Sequence, residues 1–224
     1  MSTSFEARFS TTRLSLSDLL TRVEAALPDC GLRFFGAITR LESDNGWPTV
    51  AGLDFAAVDS LADAAKAAAT WWGLGIECVS DVLLAGMGRS DAVEVYLNVF
   101  RDPEGRLTMS YLESGATADH RVASEDAAKS LVAIQIALCD AGHFELSIYD
   151  EQDHEREPVP TLRNAEVAIR RAASDLSAGD LSVVVSSSAI DHARARHLAG
   201  PRAAEVKLCA NGYTVFPFLS HAGA

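Results

Sequence analysis

The stretch from Val93 to Tyr111 constrains this chain more than any other. Val93, Val95, Leu97 and Val99 alternate with Glu94, Tyr96 and Asn98, a period of two that sorts apolar and polar side chains onto opposite faces of a strand. Asp102-Pro103-Glu104-Gly105 supplies the turn, and Leu107, Met109 and Tyr111 resume the alternation. The pattern predicts an antiparallel hairpin with one buried face, which needs further strands and covering helices to be stable. An α+β fold is therefore expected, with a mostly antiparallel sheet and helices packed on one side.

The helices announce themselves by spacing and caps. Leu19, Leu20, Val23, Ala26 and Leu27 form an apolar stripe that Pro28 and Gly31 end. Ser60 and Asp63 open a second helix, read as running through Trp71 and Trp72 to Gly73. Ser124 opens a third that closes at Gly142, Thr161 a fourth that ends before Gly179, and a shorter fifth is expected from Ser188 to Leu198. Strands are expected after these stops, at 32–41, 76–85, 143–148 and 181–186, and the chain closes on a hairpin turning at Asn211-Gly212. Corresponding landmarks in the two halves are offset by 105 to 111 positions. That regularity predicts two similar lobes, 1–112 and 113–224, with the boundary at 113–123.

Charge is the other organising feature. Nineteen Lys and Arg stand against 31 Asp and Glu, a net −12, which argues against nucleic acid as a ligand because phosphate binding needs a cationic face. The excess is local. Residues 41–81 carry a net −6, residues 140–157 another −6, and the remainder is neutral. The second segment contains Asp150, Glu151, Asp153, Glu155 and Glu157, closed by Pro158 and Pro160; the first contains Asp44 and Trp47 beside Pro48. These seven, Asp44, Trp47, Asp150, Glu151, Asp153, Glu155 and Glu157, are the candidate partner-binding residues. Clustered charge steers association, and Trp47, read into a loop with Pro48, suits an interface anchor if exposed and is core if buried.

Catalytic chemistry is harder to find. Gly86-Met87-Gly88 follows an apolar run, but Asp91 stands where a dinucleotide fingerprint needs its third glycine. Ser186-Ser187-Ser188 with Asp191 and His192 collects the residue types of a triad, without a GxSxG elbow, and the serines read better as a helix cap. His192 and His197 are five apart, about 140° around a helix, so they do not share a metal-facing side. HExxH is absent, as is any CxxC pair among Cys30, Cys78, Cys139 and Cys209, and the acidic run lacks the glycine of an EF-hand loop. Neither a metal nor a cofactor is expected. His143 remains as a candidate base.

The first fifteen residues hold no signal-like apolar run, and no stretch reaches the roughly 18 apolar residues of a membrane span. A cytoplasmic chain with buried thiols is expected. In size, charge and want of catalytic motifs it resembles bacterial toxin-neutralising immunity proteins, a likeness of those properties alone. That likeness implies a non-catalytic protein gripping a basic protein partner such as a toxin domain, with no role for nucleic acid or membrane. Two rivals are a small enzyme or ligand-binding regulator with a cleft between lobes, using His143, Asp191 and His192, and a subunit that self-associates around Trp71 and Trp72.

Overall fold

The computed structural model describes residues 4–80, 93–114, 125–151, 157–174 and 182–217. Ten strands form one sheet: β1 (Ser4–Phe9), β2 (Leu32–Asp44), β3 (Trp47–Ala57), β4 (Gly73–Ser80), β5 (Val93–Arg101), β6 (Leu107–Ser114), β7 (Leu146–Glu151), β8 (Ser182–Ser186), β9 (Lys207–Leu208) and β10 (Tyr213–Pro217). Their order is β3-β2-β4-β5-β6-β1-β7-β8-β10-β9, with every neighbouring pair antiparallel. Among the described residues five α-helices accompany them: α1 (Leu16–Ala26), α2 (Leu61–Ala67), α3 (Glu125–Gly142), α4 (Leu162–Ser174) and α5 (His192–Ala199). The fold class is α+β.

Local chemistry starts most of these helices. Ser15 accepts from the Asp18 amide at the head of α1, and Ser60 from the Asp63 amide at the head of α2. Thr161 and Asn164 exchange hydrogen bonds at the head of α4, a capping box with Asn in the third position. Asp191, and not Ser187 or Ser188, caps α5 by accepting from the Arg194 amide at 2.8 Å. Helix α2 stops at Ala67, so Trp71 and Trp72 precede β4 and do not lie on the helix. Trp72 stacks on Phe100 at 5.3 Å between ring centroids, and Trp71 packs against the core, so the pair forms no exposed apolar face. Gly73 is a strand residue whose small size is needed, since a Cβ there would lie 2.8 Å from that of Phe100.

Residues directly opposite each other in the register share a face. One face carries Ala7, Tyr111 and Tyr149, along with Ile38, Ile76 and Leu97, and is covered by α1, α2 and α3. The other carries Leu146, Ile148, Val183, Val185 and Phe216 under α4 and α5. Helices therefore occupy both faces, and among the described residues the single-sided packing expected from the sequence holds only for the first half. The two halves share one continuous sheet, with β1 paired to β6 on one side and β7 on the other. A duplication is not confirmed. Beyond β4 the order runs β5, β6, whereas beyond β8 it runs β10, β9, with α5 inserted between β8 and β9.

The end of α3 yields a stability prediction. His143, with φ of 53°, takes the left-handed position after the helix, while Gly142 is the residue against which the Phe144 ring closes. A Cβ on Gly142 would sit 2.0 Å from that ring, which is itself buried and packed on Phe9 at 5.3 Å. Gly142→Ala is expected to destabilise by about 1 to 3 kcal/mol, the range for overpacking a filled core. Equilibrium denaturation checks it, and an unchanged midpoint would show that the ring has room to move.

Candidate functional site

The two acidic segments meet in space. Strands β2 and β3 form a hairpin closed by Asn45 and Gly46, both at positive φ (51° and 88°), the two-residue turn that matches strand twist. A Cβ on Gly46 would lie 3.4 Å from Cγ of Pro158, so the hairpin tip rests on the segment between β7 and α4. In a flat sheet β2 and β7 would be about 24 Å apart, five steps of about 4.8 Å. The contact therefore requires the sheet to coil and the hairpin to arch across the second face. The backbone supplies the means: β2 shifts register between Phe34 and Ile38 and again between Thr39 and Leu41, and Gly36 has φ of 88°.

At this junction Glu42, Asp44 and Glu157 are exposed. Asp44 accepts from the Asn45 side-chain amide at 3.2 Å. Trp47 is not an exposed anchor in a loop: it is the first residue of β3 and only 6 % exposed. Asp150 is not part of a solvated loop either. It lies within β7, buried, and both its carboxylate oxygens accept from Arg8 Nη2 at 3.0 Å. Arg8 Nη1 donates to the Glu157 carbonyl at 2.6 Å, which ties the acidic segment to the central strand β1. Glu151 ends β7, while Asp153 and Glu155 lie outside the described residues, as do Gly86-Met87-Gly88 and Ser124.

A buried polar seam thus runs beneath the acidic junction. Glu6, Leu112 and Asp150 are opposite one another on the second face, with Arg8 and Ser110 beside them. Glu6 is fully buried, and burial pushes its carboxyl from 4.5 up to about 7; a hydrogen bond from Ser110 and the charge of Arg8 oppose the rise, and Asp150 adds to it. Its Oε2 has no hydrogen-bond partner among the described residues. On the helix-covered face Glu113 is likewise buried, accepting from Tyr111 at 2.9 Å and Tyr149 at 2.5 Å. None of Glu6, Arg8 and Glu113 figures in the sequence reading, although Phe5-Glu6-Ala7-Arg8-Phe9 has the alternation of a strand.

Comparison of the chain with protein-family models, with curated proteins and with solved structures finds no match. The side chains must speak for themselves.

The catalytic candidates are held in structural roles and are not gathered together. His143 Nε2 lies 3.0 Å from Arg22 Nη1 of α1, against the first face, whereas His192 Nε2 lies 3.3 Å from the Val206 carbonyl beside α5 on the second. Asp191 is engaged as the cap of α5, and Ser186 and Ser188 hydrogen-bond each other at 2.7 Å. The junction between halves, where a cleft would have to open, is filled by β1. Among the described residues no cluster of three or more His, Cys, Asp or Glu is placed to hold a metal ion, and no helix is long and apolar enough to cross a membrane. Cys30, Cys78 and Cys139 are buried and Cys209 half-buried, all four with free thiols; burial pushes Cys30 and Cys78 up to about 12 and Cys139 well above its ordinary value. Such thiols are poor nucleophiles at neutral pH.

Proposed function

We propose that this chain is a non-catalytic binding protein of the cytoplasm, whose acidic surface holds and inhibits a positively charged protein partner in the manner of a toxin-neutralising immunity protein. The observation that carries the reading is the meeting of the two acidic segments at Gly46 and Pro158, residues 112 positions apart in the chain. Two separate excesses of negative charge become one field, with Glu42, Asp44 and Glu157 exposed at its centre. Such a field raises the rate of encounter with a cationic surface and discriminates against acidic ones. The rigid mounting favours the same reading, because Arg8 fixes the Glu157 backbone before any partner arrives and less ordering is required on binding.

The test starts from a partner recovered with the protein and identified by mass spectrometry, whose affinity is then measured against ionic strength. Affinity is expected to fall by about tenfold or more between about 0.05 and 0.5 M salt, as the screening length shortens through molecular distances. An affinity that stays flat over that range contradicts the electrostatic reading.

A further inference from the structure

Among the described residues the second face of the first half carries no helix, and it displays exposed aromatic side chains. Phe35 is 60 % exposed, Phe55 63 % and Tyr96 39 %. Register fixes their arrangement. Phe55 lies opposite Thr39, Thr39 opposite Gly75, and Gly75 opposite Asn98, one row across β3, β2, β4 and β5. The adjacent row places Glu77 opposite Tyr96. On the other side of Glu77 is the irregular stretch of β2 between Phe34 and Ile38, where alternation puts Phe35 on the same face. The half-buried carboxylate of Glu77 is thus flanked by Phe35 and Tyr96, with Phe55 beyond Thr39 and Gly75, where the Leu41 side chain reaches to 3.6 Å from the position of a Gly75 Cβ. Among the described residues Glu77 makes no hydrogen bond or ion pair.

We infer that this face is where the basic partner docks: a Lys or Arg side chain meets Glu77 between the Phe35 and Tyr96 rings, and an apolar neighbour of that residue rests on Phe55. A carboxylate between two rings attracts a cation through both charge and the ring quadrupole. The acidic rim agrees, since Asp59 is exposed just beyond the hydrogen bond from the Val58 amide to the Gly36 carbonyl. Arg33, exposed on the same face two residues from Phe35, bounds the patch on one side. A second copy of this chain fits less well. Isologous pairing would set these carboxylates against their own images, and strand addition at β3 is blocked by Pro48 and by the bulge between Val50 and Phe55.

The inference rests on the proposed function and names the surface that performs it. The test uses two synthetic peptides, one alternating Lys and Leu, the other Glu and Leu, titrated into the protein while backbone amide shifts are followed. The Lys-Leu peptide is expected to move amides at 33–39, 55–59, 75–79 and 95–98, and Glu77→Gln and Phe55→Ser each to weaken it about tenfold. Both side chains reach solvent, so melting should be unchanged in the variants, which separates lost binding from lost fold. Shifts confined to 42–46 and 157–160 would overturn this inference and leave the acidic reading standing. No binding of the Lys-Leu peptide at any site would count against both. Equal binding of the Glu-Leu peptide would show apolar adhesion without charge recognition and overturn the role given to Glu77.

Discussion

Asp150→Ala is expected to cost about 3 to 5 kcal/mol of folding stability, the range found when one member of a buried ion pair is removed. Only 7 % of the Arg8 side chain and 11 % of that of Asp150 reach solvent, so the guanidinium left behind cannot recover its hydration. The Glu157 carbonyl would still accept from Nη1, but it is neutral and leaves Nη2 facing an empty site. Among the described residues Glu6 is the nearby carboxyl on this face able to answer. With Asp150 gone, its carboxyl is freed from a like charge and remains beside Arg8, so it should ionise more readily and recover part of the loss above neutral pH. The cost of Asp150→Ala should accordingly be larger at pH 5 than at pH 8. Denaturant titrations at the two pH values check it. A variant that melts like the native chain but no longer binds a basic partner would instead make Asp150 a contact residue.

Glu6→Gln is the second large effect, and its sign changes with pH. A carboxyl whose pKa stands at about 7 in the fold against 4.5 in the ordinary state supports the fold fully only below about pH 4.5, where it is protonated in both states. Between those values the unfolded chain releases its proton first and stability falls, until the loss is complete above about 7. The difference corresponds to about 3 kcal/mol. Glutamine has the same shape and no charge to release, so the variant should match the native protein near pH 4.5 and exceed it by about 3 kcal/mol at pH 8. Parallel stability curves for the two proteins would show that the carboxyl is not held neutral. Physically, Arg8 and Asp150 already cancel each other, so a charge on Glu6 would be an uncompensated one in the middle of the sheet.

How much of this was legible in the sequence depends on how local its cause is. The β5–β6 hairpin follows from alternation and a turn within twenty residues, and it forms where expected. Helix starts at Ser60 and Thr161 are equally local, because a cap needs only the three residues after it. Strand β1 was missed for the opposite reason. Its alternation is present, yet Glu6 and Arg8 interrupt the apolar run with charge, and the partner that permits the burial of Arg8, Asp150, is 142 positions away. The same distance hid the structural duty of Asp150 behind the composition of the run that follows it. Trp47 was misplaced by Pro48, which suggested a loop. An edge strand tolerates proline because the missing N–H faces away from the ladder, and Asn45-Gly46 carried the hairpin signal. The docking face was invisible because Phe35, Phe55, Glu77 and Tyr96 belong to four strands, and only the sheet order makes them neighbours.

The central claim is that two distant acidic segments act as one electrostatic surface. It is tested most directly by measuring partner affinity against salt for the native chain and for a variant carrying Glu42→Gln, Asp44→Asn and Glu157→Gln. These three side chains are exposed, so the fold should be unaffected. The account predicts a weaker affinity at low salt, a visibly shallower salt dependence, and curves that converge as screening becomes complete. Superimposable curves for the two proteins would contradict it.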